Sequence, residues 1–396
     1  MYWSTKFSNG AWVVDDYATA KWALTNPHLS AQRANRWLRR CELAGRRPSL
    51  RSFKALFNES VVFLEGAKHQ QMRKILITHL RLAMSGNFDA RLGTIVDDVI
   101  TAAIDRRQID VIKDIAQSIP LLSICDLLGI DIPNKVEFFD WCQALSQFLG
   151  SPIESHDSAL KAQDAALAMA QFFNMQIAAG NFIHEENKIL YSLLRLPEFE
   201  GSRARRVLFS QLCTLLFGAY ETTHNLIGNT FYLLSAFPNE FTKLKAQPAL
   251  INGAIDEILR FASPVQYTGR IVIQEMTIDG QPLKPNDLVI VDIATANRDP
   301  LAYANPELFS ITRPQSPHLA FGFGHHFCLG SQLSLLELRI ILQNLIGGAV
   351  DLRPLESPME LSNALYKGYA YLPMMLNRKY PNALRASEMM LRHPSL

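Results

Sequence analysis

Phe321-Gly322-Phe323-Gly324-His325-His326-Phe327-Cys328-Leu329-Gly330 is the stretch whose reading decides the fold. It presents one sulfur, Cys328, on a loop bracketed by Gly324 and Gly330, where the missing side chains permit backbone conformations and close approaches that a Cβ would block. Residues 329–345 follow with amphipathic helical spacing, which sets Cys328 beside a helix N-terminus. The partial positive charge and free N–H groups there stabilise an anionic sulfur. A lone cysteine in a glycine-rich loop is more often a small buried hydrophobe than a ligand. The weight therefore rests on the whole pattern Phe-x-x-Gly-x-x-x-Cys-x-Gly, carried by Phe321, Gly324, Cys328 and Gly330.

That pattern resembles the haem-binding loop of the cytochrome P450 family, in which the cysteine is the proximal iron ligand. Three further signatures stand in the family's order. His69 and Arg73 are four apart on one face of a helix expected over residues 66–80; in the family such a pair grips a haem propionate. Residues 205–237 read as a long apolar helix stopped by Pro238, with Gly218-Ala219-Tyr220-Glu221-Thr222-Thr223 at its middle. An acid and hydroxyls inside a buried helix are costly unless used, and the Thr222 hydroxyl can bond the Gly218 carbonyl and open the helix locally. Glu257 and Arg260, three apart on the helix of residues 251–261, precede Ser263-Pro264-Val265-Gln266-Tyr267-Thr268-Gly269-Arg270. This matches the family's Glu-x-x-Arg core and the strand whose arginine contacts a propionate, with Arg313 a candidate partner for Glu257.

The resemblance covers nearly the whole chain and implies the family's mainly α fold with a small β region, as a single domain over residues 1–396 with a loose tail from about 380. It implies a b-type haem with Cys328 as axial ligand. His69, Arg73, Arg270 and His326 would neutralise the propionates, with Ala219, Phe321, Gly322 and Gly330 against the macrocycle. Thr222 would hold dioxygen and a water by hydrogen bonds while Glu221 relays protons. Helices expected at 157–179 and 185–194 would form the lid. Leu215, Val265, Tyr267 and Tyr369 are candidate lining groups of the substrate pocket, the last on a hairpin expected to reach back into it.

Residues 270–293 alternate like a small sheet, with Asp279-Gly280 as a hairpin turn. Charge is balanced, 39 basic against 37 acidic residues, so no global attraction to nucleic acid or membrane is implied. Five dispersed cysteines without a C-x-x-C pair fit a reducing compartment. Neither a signal-peptide pattern nor a run approaching roughly 18 apolar residues occurs, so a cytoplasmic protein is expected. No segment fits a flavin or an iron–sulfur cluster, so electrons would come from a ferredoxin or flavodoxin with its reductase. Lys68 and Lys74 offer an acidic donor a basic face.

Rival readings are a zinc site at His325, His326 and Cys328, a phosphate loop at Gly322-x-Gly324, a non-catalytic haem sensor or carrier, and a peroxide-using peroxygenase. Zinc would ask for a second cluster of paired ligands, and a phosphate loop for further glycines and a preceding strand. Glu221 and Thr222 speak against the last two, since haem binding alone needs neither and peroxide-using relatives replace them. Arg33, Arg36, Arg39, Arg40, Arg46, Arg47 and Arg51 face the single acid Glu42 in residues 33–51. The bland reading is a solvated cationic helix face. The sharper one is recognition of an anionic hydrophobic substrate, a carboxylic acid or an acyl group on an acidic carrier protein, with a terpenoid or polyketide skeleton.

Overall fold

The computed structural model describes residues 1–7, 10–44, 49–151, 155–314, 317–348 and 350–378. The expected loose tail and two of the seven arginines, Arg46 and Arg47, lie outside the described residues. Fourteen α-helices are described: α1 Tyr17–Thr25, α2 Ala34–Ala44, α3 Arg51–Phe57, α4 Gly66–Ala83, α5 Phe88–Arg106, α6 Ser118–Leu128, α7 Lys135–Leu149, α8 His156–Ala179, α9 Ile189–Leu194, α10 Gly201–Ala236, α11 Pro238–Ala246, α12 Ile251–Phe261, α13 Ile293–Ala296 and α14 Ser331–Gly347. The strands are β1 Tyr2–Ser4, β2 Ala11–Val14, β3 Leu29–Ser30, β4 Gln108–Asp110, β5 Tyr267–Val272, β6 Met276–Ile278, β7 Gln281–Leu283, β8 Leu288–Asp292, β9 Val350–Pro354, β10 Met359–Glu360, β11 Tyr369–Tyr371 and β12 Pro373–Arg378. The fold is mainly α with small sheets, as the sequence predicts.

Helix α10 runs through the principal core, and residues such as Leu208, Leu212, Leu216 and Phe231 on it are wholly buried. It begins four residues before the expected start. Pro238 ends it as predicted, and opens α11 as that helix's first residue, where a missing N–H costs nothing. Against expectation α10 is continuous through Thr222: the Thr222 hydroxyl donates to the Gly218 carbonyl at 2.8 Å without breaking the helix.

Helix α9 starts at Ile189, four residues later than expected. Residues before it are drawn into a turn in which Lys188 N–H donates to Glu185 O and Lys188 Nζ is held 2.9 Å from Asp126.

The five-stranded sheet, in the order β1-β2-β8-β5-β3, carries β5 between β8 and β3 and so fixes Tyr267 and Arg270. Off its edge, β6 and β7 form the predicted hairpin, with Asp279 and Gly280 both at positive φ. That is the conformation a tight two-residue turn demands.

Glu257 on α12 draws in the meander before the cysteine loop. Its carboxylate accepts from Arg260 at 2.7 and 2.8 Å, from Arg313 Nε at 3.1 and 3.2 Å, and from the Ser310 backbone N–H at 2.9 Å. The Arg313 partnership predicted from sequence is thus formed, in a nearly dry environment. No described helix is long and apolar enough to cross a membrane.

Candidate active site

The cysteine loop is held by its own backbone. Cys328 N–H donates to Phe321 O and Phe327 N–H to Gly324 O, while Leu319 N–H reaches the buried Asn297 side chain. Gly324 has φ +76°, and a Cβ there would come 2.8 Å from Thr25 Cγ2, so α1 packs where only glycine fits. Helix α14 begins at Ser331, two residues later than expected. This leaves the N–H groups of Gly330 and Ser331 free to hydrogen-bond the Cys328 sulfur. Burial outweighs the other effects and leaves the thiol raised, while these donors and the Arg73 cation pull it back down. A site that wants a thiolate needs that opposing set.

Between this loop and α10 lies a cavity of about 440 Å³. Gly218, Ala219 and Thr222 line it from α10, and Phe321, Gly322, Cys328 and Gly330 from the loop. Its space beside α10 comes from small residues, since a Cβ on Gly218 would meet nothing within 4 Å, rather than from a broken helix. Gly330 opens in the same way. His69, Arg73, Arg270 and His326, the four residues assigned to propionates, line this one cavity. His69 and His326 are ring neighbours, with centroids 4.1 Å apart, and the Nε2 of each is buried without a hydrogen-bond partner. Burial, with His326 and Arg73 alongside, brings His69 down to about 4. Arg270 is buried, its described hydrogen bonds going to Thr268 Oγ1 and Gly269 O. Two arginines and two imidazoles lining one cavity together with a cysteine sulfur fit a dianionic, thiolate-ligated group, and haem is such a group.

Leu215, Val265 and Tyr267 line the cavity, but Tyr369 does not. It packs on Tyr232, and the chain reaches the cavity through Leu365 and Tyr366 instead. Glu221 also differs from the expectation that it shares a site with Thr222. It lies off the cavity lining, buried, accepting from Ser146 Oγ of α7 at 2.7 Å and from Asn225 Nδ2 at 3.3 Å.

His325, His326 and Cys328 do not assemble as a zinc set. Among the described residues the two histidines converge on Glu65, each Nε2 being 3.6 Å from one of its oxygens. Burial opposes ionisation of Glu65, but His326 and the Ala31 N–H bring it down to about 2. Glu65 escaped the sequence reading, although an acid directly before a helix start was its signal.

Glu337 escaped too, as an acid on the apolar face of α14. It is buried, with Oε2 unpartnered, and burial raises it to about 8. A folded-state value above the unfolded 4.5 means the folded chain keeps a proton that the unfolded chain releases. Stability from this group is full below pH 4.5 and is lost as pH rises towards 8. Glu337→Gln is therefore expected to flatten the fall of Tm between pH 5 and 8.5, each tenfold difference in proton affinity between the folded and unfolded chain being worth about 1.4 kcal/mol. An unchanged slope would remove Glu337 from that fall.

The cytochrome P450 family model matches residues 106–347. The chain is 30% identical over 375 residues to the cytochrome P450 monooxygenase PikC of Streptomyces venezuelae, covering 93% of this chain and 85% of that protein. It is 27% identical to the polyketide biosynthesis cytochrome P450 PksS of Bacillus subtilis, over 78% of this chain and 76% of the other. Among solved structures, CalO2 superposes with a TM-score of 0.82 at 23% identity, over 93% of this chain and 91% of that one. The chain belongs to the cytochrome P450 family, the monooxygenases that carry haem b on a cysteine thiolate.

Proposed function

We propose that this enzyme activates dioxygen with electrons from a ferredoxin or flavodoxin and its reductase, and oxidises a hydrophobic natural-product intermediate of terpenoid or polyketide type. The observation that carries this reading is one cavity lined both by Cys328 with its propionate cations and by the apolar groups Leu215, Phe217, Val265 and Leu365. When bound, the haem supplies the oxygen chemistry, its thiolate ligand pushing electron density that favours O–O cleavage.

The chain's own residues then hold water and protons. Thr222 Oγ1 donates to Gly218 O, which leaves its lone pairs facing the cavity to accept from a water there. Glu221 holds a carboxylate at the far side of α10, bonded to Ser146, which Asn363 also contacts. A rotation of the Glu221 side chain would carry a proton taken up at its carboxylate towards Thr222. The exposed Lys68 and Lys74 of α4 suit an acidic electron donor. The acid-and-alcohol pair favours monooxygenation over haem carriage or peroxide use.

Thr222→Ala is expected to retain haem and substrate binding while diverting most electrons to peroxide or water, and Glu221→Gln to slow turnover by about 10²-fold. Product formed per NAD(P)H consumed is the measurement. Unchanged coupling and rate in both variants would take these residues out of the mechanism.

A further inference from the structure

A second, smaller cavity of about 120 Å³ adjoins the first, and three arginines line it: Arg33, Arg36 and Arg40. The two cavities share Arg33, Leu149, Tyr267, Thr268 and Leu365 in their walls. Arg33 thus stands at the junction. Of the arginine-rich run, Arg39 is exposed and lines neither cavity, so helix α2 turns one cationic face inward and another to water.

Arg33 is built in rather than draped over a surface. Its guanidinium donates to Ala31 O at 3.3 Å and lies 4.9 Å over the Phe63 ring. Gly269 on β5 makes room for it, since a Cβ there would come 3.1 Å from Arg33 Cδ. Among the described residues no carboxylate is within ion-pair distance of it. Burial and the nearby Arg270 bring it down to about 9, still cationic at neutral pH. A largely enclosed cation without an anion carries a desolvation cost, and a ligand oxyanion placed on its two-pronged face offsets that cost.

We propose that Arg33 and this side cavity form the anchoring subsite for the free carboxylate of an otherwise apolar substrate. The inference rests on the monooxygenase reading above and narrows it. A carrier-bound acyl group ends in a neutral thioester, whereas a guanidinium fork selects an oxyanion. The apolar remainder then extends into the larger cavity towards Thr222 and Cys328. Tyr267, shared by both walls, is held protonated by burial, raised to about 12, and its hydroxyl is available as a second donor.

The test is a spin-state titration of the holoprotein with dodecanoic, hexadecanoic and abietic acids and with their methyl esters. At least one acid is expected to bind about 10- to 100-fold more tightly than its ester, the size of a charge-assisted hydrogen bond. In Arg33→Gln that ratio should fall towards one, and Arg33→Lys should restore part of it, both with the reduced carbon monoxide band at wild-type intensity. Equal affinity of acids and esters in the wild type would overturn the proposal without any variant. So would an Arg33→Gln protein that loses haem while keeping its preference for acids, because Arg33 would then be a propionate partner. Failure of the underlying reading shows separately, as loss of the thiolate-type carbon monoxide band in the wild type.

Discussion

Cys328→Ser is expected to abolish the red-shifted Soret band of the reduced carbon monoxide complex and to drop monooxygenation to the background of free haem. Two cysteines reach the cavity wall, Cys213 and Cys328. Cys213 sits about a third of the way along α10, where burial pushes its thiol far up. Cys328 alone of the two has helix-start N–H groups and an arginine cation opposing the effect of burial on its sulfur. Serine preserves the shape of the loop, since the backbone bonds of Cys328 and Phe327 do not involve the side chain. What it removes is the soft anionic donor that favours O–O cleavage. The matched control is Cys213→Ser, which should leave the band in place. A Cys328→Ser spectrum identical to wild type, or a wild-type spectrum of histidine type, would refute the assignment.

The cysteine loop was legible because its signal is local: glycines at fixed offsets, a cysteine, and a helix start are all set by consecutive residues. The Thr222–Gly218 bond was legible for the same reason, being four residues along one helix. Arg313 could be paired with Glu257 only through the family's pattern, since 56 residues separate them.

Side-chain direction was not legible. Glu221 and Thr222 are neighbours in sequence, but successive helix positions point about 100° apart, so one faces the cavity and the other faces Ser146 of α7. Tyr366 and Tyr369 are both aromatic residues of one predicted hairpin. Which of them reaches the cavity depends on pairing between distant segments, here the bridge of Tyr366 to Val265, which no local pattern encodes. The arginine run likewise reads as one cationic stretch until the packing of α2 on α8 and of Arg33 beside Gly269 divides it.

Glu257→Ala is expected to destabilise the holoprotein by about 3–5 kcal/mol, the cost of breaking a buried ion pair by removing one partner. Glu257 and Arg260 are each 2% exposed, and the Arg313 side chain, at 11%, is partly buried against them. Without the carboxylate, two guanidinium groups would face one another in a dry site, and the Ser310 N–H would lose its acceptor. Arg260 would keep its bonds to the Asn297 and Pro306 carbonyls and Arg313 its bonds to Ala304 and Leu308, so the meander retains neutral partners but not a counter-charge. Arg313→Ala should cost less, because the two-pronged Arg260–Glu257 contact survives it. The order Glu257→Ala worse than Arg313→Ala separates a charge effect from general loss of packing, since arginine is the larger side chain removed. Thermal midpoints followed by far-UV circular dichroism and by the Soret band should fall together, by on the order of 4–6 °C for Glu257→Ala. The meander runs directly into the cysteine loop, whose Leu319 N–H hangs on Asn297, one of the residues bonded to Arg260. The Soret signal should therefore be lost no later than the helix signal. A Glu257→Ala midpoint within 1 °C of wild type would show that the network adds nothing beyond its packing.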